Sequence, residues 1–248
     1  MKDKWAWQSE KLQRWTQLVR WGHWGTPVLL MPTAGGDAEE CERMRMTDAL
    51  RPLIDAGRIK VYSFDSVAGR AWMTREGDPM HRAWLQNQFH QYVRHEVVPA
   101  IRRDCHDQPL GILVAGASIG AYNACAIVCR FPDTFTSAIC MSGTYDLEPW
   151  LDGQFSLDFY YSSPLHFVPQ LPEDEHLALL RRRFILMATG EGRWENPEQS
   201  WRMAHVLGSR GIPNRVDLWG VAYEHDWPTW HQMLPHYLDQ LAESARIL

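Results

Sequence analysis

The chain contains no run approaching the roughly 20 continuous apolar residues that a membrane-spanning helix needs. Its first residues, Met1-Lys2-Asp3-Lys4-Trp5-Ala6-Trp7, pass into polar sequence without the apolar core of a secretion signal. No membrane partner is expected, and a cytoplasmic location is the default. Cysteine is sparse: Cys41, Cys105, Cys125, Cys129 and Cys140 form neither a Cys-x-x-Cys pair nor a zinc-ligand spacing. Cys125 and Cys129 stand four apart in a helical stretch, where a disulfide would strain its geometry and close a trivial loop, so both read as packing thiols. Basic blocks are missing too. The formal net charge is -5 with neutral histidines, and the short group Arg181-Arg182-Arg183 reads as a solvated turn or helix end, which disfavours a nucleic-acid partner.

What the sequence has in quantity is apolar and aromatic material. Hydrophobic residues make up 45% and charged residues 22% of 248 residues, enough to bury one substantial core, so one domain spanning 1–248 is expected. The 13 tryptophans exceed what such a core normally needs, which makes some of them candidates for a substrate surface.

Short apolar runs recur at intervals suited to strands. Trp15 to Gly22 alternates and stops at a glycine, as an early edge strand or hairpin arm would. Val28-Leu29-Leu30-Met31 is continuously apolar, the mark of a strand buried on both faces of a mainly parallel sheet. Lys60 to Asp65, Gly111 to Ala115, Ser137 to Met141, Phe184 to Ala188 and Arg215 to Trp219 follow. Helical patterns fall between them: Ala38 to Ala56, Arg82 to Cys105, Ile119 to Arg130, Glu198 to Leu207 and Thr229 to Leu241. The alternation predicts an α/β fold, a mainly parallel sheet covered by helices on both faces. Between Gly143 and Glu175 the periodicity fails amid aromatics and prolines, and this long connection, about 143–175, is expected to form a flap or cap over the strand ends.

The sharpest local signal is Gly116-Ala117-Ser118-Ile119-Gly120. An apolar strand precedes it and a helix rich in small residues follows, which is the setting of a nucleophile elbow: the glycines admit a tight strand-to-helix turn that lifts the serine hydroxyl clear of the sheet. A phosphate loop is disfavoured, because no Gly-Lys-Ser/Thr follows. Serine needs a base. Of the eleven histidines, His225 follows the last predicted strand and precedes the last predicted helix, where a loop returns to the strand ends. His90, His95, His231 and His236 fall on helices, where solvated or packing roles are expected. The third member should follow the preceding strand and orient the histidine through its other ring nitrogen. Glu195 and Glu191 both stand there, Glu195 ahead; Asp226 suits a helix N-cap at least as well, and Glu224 is a weak candidate. The oxyanion hole should combine the N–H of Ile119 with one from the loop Ala34-Gly35-Gly36, Gly35 being favoured.

These residues carry a resemblance. Gly116-Ala117-Ser118-Ile119-Gly120-Ala121-Tyr122-Asn123-Ala124, together with His225-Asp226-Trp227-Pro228-Thr229-Trp230, resembles the esterase branch of the α/β-hydrolases that includes enterochelin esterases, S-formylglutathione hydrolases and mycolyltransferases. The likeness runs from about Val28 to Leu241. It implies the α/β-hydrolase fold, a serine nucleophile at Ser118, a histidine at His225 and an acid after the penultimate strand. Members similar to the formylglutathione hydrolases carry an aspartate there, whereas this chain has Gly190-Glu191-Gly192-Arg193-Trp194-Glu195; either a glutamate substitutes or the triad is incomplete. The early loop Pro32 to Asp37 also lacks the usual histidine-led form. The expected activity is hydrolysis of a small-molecule carboxylic ester or thioester without metal or cofactor. An acyltransferase using the same acyl-enzyme and a noncatalytic binding module are the alternatives.

Overall fold

The computed structural model describes residues 1–106, 108 and 110–242. Eight strands form one sheet: β1 (Lys2–Gln8), β2 (Trp15–Trp21), β3 (Thr26–Met31), β4 (Ile59–Phe64), β5 (Ile112–Ala117), β6 (Phe135–Met141), β7 (Phe184–Thr189) and β8 (Asn214–Leu218). Their spatial order is β1-β2-β4-β3-β5-β6-β7-β8. The β1–β2 and β2–β4 pairs are antiparallel, and every later pair is parallel. Parallel neighbours require crossovers, and the helices that supply them cover both faces.

The period-two geometry of the strands divides the core. Leu29, Met31, Tyr62, Phe64, Ile112 and Val114 point to one face, where they pack with Leu85, Phe89, Ala121, Ala124 and Met203 from the crossover helices. Val28, Leu30, Val61, Leu113 and Ala115 point to the other and meet Leu50, Met233, Leu234 and Leu238. Burial on both faces explains why β3 and β5 read as continuous apolar runs. All five cysteines are buried free thiols.

Several expectations are refined. Trp15–Trp21 is a hairpin arm, with β1 outside it as the true edge; the register runs from Lys2↔Trp21 to Gln8↔Trp15. Lys2–Gln8 carries its charges outward, so it has no apolar run by which to be read. The helix expected over Ala38 to Ala56 is three short ones, Glu40–Arg43, Met46–Ala49 and Arg51–Asp55, interrupted at Arg45, whose φ of 62° is left-handed and cannot continue a helix. The stretch from Arg82 to Cys105 is helical throughout, but a π-turn at Val93–Val97 separates Pro79–Tyr92 from Val98–Asp104. It lies just before Pro99, which has no N–H to continue the ladder. The irregular stretch after β6 contains short helical turns at Glu148–Leu151, Leu157–Ser162 and Pro164–Phe167. They bury Tyr145, Leu147, Leu151 and Phe159 while exposing Trp150, Phe155 and Tyr161. No helix among the described residues is long and apolar enough to cross a membrane.

Candidate active site

The carboxyl ends of β3, β5, β6, β7 and the loop after β8 bring the polar residues of the site together, as the crossover topology of a parallel sheet dictates. Ser118 follows β5 directly and caps the helix Ile119–Arg130 with φ 58° and ψ -124°. A serine in that conformation costs about 1–3 kcal/mol and persists only where its surroundings enforce it. The enforcement comes from close backbone packing. A methyl on Gly116 would lie 2.4 Å from the Gly120 carbonyl carbon, and one on Gly120 would lie 2.7 Å from Met31 O, so both flanking positions exclude any side chain. The Ser118 N–H donates to Met141 O at 2.9 Å, fastening the elbow to the end of β6.

Beside Met141 a carboxylate–imidazole pair assembles. His225 Nδ1 lies 3.6 Å from Glu195 Oε2, and the Glu195 side chain is 1% exposed. Ser142 Oγ donates to Glu195 Oε1 at 2.5 Å, and Thr189 Oγ1 reaches Oε2 at 3.1 Å. Burial alone would push the Glu195 carboxyl up, but His225 and the Ser142 and Thr189 hydroxyls outweigh it and hold the group below its ordinary value, as the carboxylate. Trp230 Nε1 donates to Ser142 Oγ at 2.9 Å, and the same indole meets the His225 ring edge to face, 5.3 Å between centroids. The two loops are also joined through backbone: His225 N–H to Arg193 O at 3.0 Å and Gly192 N–H to Tyr223 O at 2.9 Å. With Nδ1 turned to the carboxylate, Nε2 is the ring nitrogen left for proton exchange. Ser118 and His225 share no direct hydrogen bond; the bonded connection between their neighbourhoods runs through Met141, Ser142 and Glu195.

Of the two glutamates considered, the structure brings only Glu195 to the histidine. Glu191 is exposed, and its backbone N–H, not its carboxylate, is engaged, with Gly220 O. Asp226 caps the final helix by accepting from Trp227 N–H at 2.7 Å, and Glu224 is exposed. The early loop is pinned by Glu40, a residue the sequence reading did not single out. Its carboxylate accepts the Thr33 N–H at 2.8 Å and the Thr33 hydroxyl, and Gly36 N–H turns back to Thr33 O at 3.1 Å. Neither Ala34 nor Gly35 donates its N–H to a protein acceptor among the described residues. At the other side of the elbow, Ile119 begins its helix, where the first N–H groups have no intrahelical partner.

Beneath the elbow, His90 is wholly buried and packs as expected, but within a polar network. Arg130 Nη1 lies 3.0 Å from His90 Nδ1, and a guanidinium can only donate, so Nδ1 accepts and Nε2 carries the proton. Nε2 donates to Asn123 Oδ1 at 3.0 Å, and Asn123 Nδ2 donates to Ile119 O at 3.0 Å. Burial and the Arg130 charge push His90 down to about 3, so the ring is neutral. His95 and His236 are exposed and His231 is half-buried. Trp230 is legible in sequence only as the end of the His225–Trp230 motif, and Ser142 and Thr189 fall in no motif. The one signal of Ser142 and Thr189 is position, at the ends of β6 and β7. No group of three or more His, Cys, Asp or Glu side chains among the described residues could hold a metal ion.

An eight-stranded, mostly parallel sheet with a serine elbow after its fifth strand defines an α/β-hydrolase. Residues 60–241 match the model of the family described as "Putative esterase", and the chain belongs to that family. Among curated proteins no sequence matches significantly. Similar solved structures include a ferulic acid esterase, with 15% identity, TM-score 0.72 and 98% of each chain covered. An S-formylglutathione hydrolase from Agrobacterium tumefaciens has 15% identity and TM-score 0.74, covering 98% of this chain and 95% of that one. MPT51 of Mycobacterium tuberculosis has 15% identity and TM-score 0.72, with 99% of each chain covered. At such identities the likeness is one of fold.

Proposed function

We propose that the protein is a serine hydrolase that cleaves a small-molecule carboxylic ester or thioester through an acyl-enzyme on Ser118. The observation that carries this reading is the buried Glu195 carboxylate facing His225 Nδ1 at 3.6 Å, bonded through Ser142 to the strand end that fastens the Ser118 elbow. Ser118 attacks the carbonyl carbon while His225 Nε2 takes its proton, and the ionised Glu195 stabilises the imidazolium that forms. The tetrahedral oxyanion is held by the N–H groups of Ile119, at the start of its helix, and of Gly35, in the loop whose flanking residues Thr33 and Gly36 are hydrogen-bonded. Collapse expels the alcohol or thiol with a proton from His225. Water, activated by the same ring, then releases the acid and restores Ser118.

A fluorophosphonate probe tests this directly. Wild-type protein is expected to be labelled covalently, with label lost in Ser118→Ala and the modified peptide containing residue 118. Labelling that persists in Ser118→Ala removes Ser118 from the reaction. Hydrolysis of a 4-nitrophenyl ester that is equally fast in wild type and Ser118→Ala does the same.

A further inference from the structure

A cavity of about 320 Å³ lies at the end of the helix that packs against the early loop, lined by Trp72, Met73, Arg75, Arg82, Trp150 and Asp152 among others. Its position follows from the helix Val67–Thr74. Gly69 lies so close to the loop that a methyl there would stand 3.1 Å from Ala34 Cα, and a methyl on Gly35 would meet Met73 Cε at 3.4 Å. Trp72 belongs to the same buried cluster as Ile119 and Leu147. Two residues of the cavity wall thus reach toward the backbone elements assigned to the oxyanion, Met73 against Gly35 and Trp72 in the cluster that holds Ile119.

Its charge is unusual. Arg82 is only 5% exposed, yet forms no ion pair with a carboxylate among the described residues. Its guanidinium donates to Gly77 O at 2.7 Å and Trp150 O at 3.3 Å, lies 5.5 Å from the Trp72 ring centroid, and has a buried Nε without a partner. Carbonyl groups orient it without neutralising it. A nearly buried cation without a counter-charge is costly unless an anion arrives to pair with it. Arg75, on the rim, follows the helix in a left-handed conformation (φ 55°), and its side chain has no ion-pair partner among the described residues. Asp152 offsets one of the two cations, so the lining carries a net single positive charge. Trp72 and Trp150, their ring centroids 6.2 Å apart, supply flat apolar walls beside the guanidinium.

We infer that this cavity receives a carboxylate-bearing part of the substrate, the carboxylate on Arg82 and Arg75 and its carbon framework on the Trp72 and Trp150 indoles. The preferred substrate is thus a monoanionic ester or thioester. This rests on the serine-hydrolase reading for its substrate role but not for its binding chemistry, because the anion site is separate from Ser118.

Two measurements test it. Binding of benzoate to Ser118→Ala, followed by tryptophan fluorescence and calorimetry with benzamide as the neutral control, reads the site without turnover. Benzoate is expected to bind at least about tenfold more tightly than benzamide. That advantage should fall about threefold to fivefold in Arg75→Gln, an exposed position, and about tenfold or more in Arg82→Gln. In the active enzyme, kcat/KM for mono-4-nitrophenyl glutarate is compared with that for 4-nitrophenyl pentanoate, and the charged ester is expected to be preferred through KM. Equal binding of benzoate and benzamide, or a preference that survives Arg75→Gln and Arg82→Gln intact, overturns the anion site. If Arg82→Gln does not fold, Arg75→Gln and the wild-type benzoate-to-benzamide ratio decide. Carboxylate binding without hydrolysis of either ester would sink the hydrolase reading and leave the anion site standing; hydrolysis with no charge preference would do the reverse.

Discussion

Replacing Glu195 by glutamine keeps the shape of the side chain and an acceptor for the Ser142 hydroxyl while deleting the charge that faces His225. The imidazolium formed as Ser118 is deprotonated then loses its stabilising partner. At an effective dielectric of about 20, unit charges 3.6 Å apart interact by about 4–5 kcal/mol. Loss of that interaction in the transition state corresponds to a fall of about 10³-fold in kcat/KM. The assay is 4-nitrophenyl ester hydrolysis at neutral pH, with Glu191→Gln as the internal comparison, since Glu191 is exposed. A loss below about tenfold in Glu195→Gln, or an equal loss in Glu191→Gln, refutes the assignment of the acid. The same variant has a signature independent of turnover. Because the folded Glu195 value lies below the unfolded one, near 4.5, its stabilising contribution is fully present above that pH and is lost as pH falls through the folded value. The wild type should therefore lose Tm more steeply than Glu195→Gln on acidification below about pH 4.5.

His90 is shifted in the same direction, its folded value lowered, which for a base means a ring that is neutral when folded, down to about 3, and charged when unfolded below 6.5. Its contribution makes stability rise with pH, by about 3 kcal/mol between about pH 4 and about pH 6.5, and flat above. Chemical denaturation across that range should show the rise in wild type and a flatter profile in His90→Gln; identical slopes would contradict a buried neutral ring. Gly120→Ala should lower Tm by several degrees, since its new methyl meets Met31 O at 2.7 Å and overpacking of this kind costs about 1–3 kcal/mol. Its kcat should fall as well, because Met31 and Pro32 lead into the loop carrying Gly35. An unchanged Tm would mean that the close approach at the elbow relaxes freely.

The serine elbow was legible because everything that defines it is contiguous. A buried strand, two small flanking residues and a small-residue helix lie within about twenty positions, and steric exclusion at Gly116 and Gly120 acts over the same span. The parallel sheet was legible for a similar reason, since burial on both faces leaves apolar runs such as Val28 to Met31. Lys2–Gln8 escaped because this edge strand carries no apolar run of its own: it is held by backbone pairing with β2 along its length and by the distant Glu96, which accepts from Trp7 Nε1 at 2.7 Å. The breaks at Arg45 and Val93–Val97 escaped because the helical period continues across them.

The sequence by itself determined that Ser118 stands in a strand-to-helix elbow and His225 in the loop after the last strand, because chain order and local sterics suffice for each. Only the tertiary structure decided between Glu195 and Glu191: two carboxylates four residues apart are equivalent in pattern, but the β7 and β8 loops, tied through Gly192 N–H to Tyr223 O and His225 N–H to Arg193 O, turn one inward and leave the other in solvent. The same holds for Ser142, Trp230 and Glu40, and for Arg75 and Arg82 beside Trp72 and Trp150. Each takes its surroundings from a neighbour that only the packing of separate elements supplies.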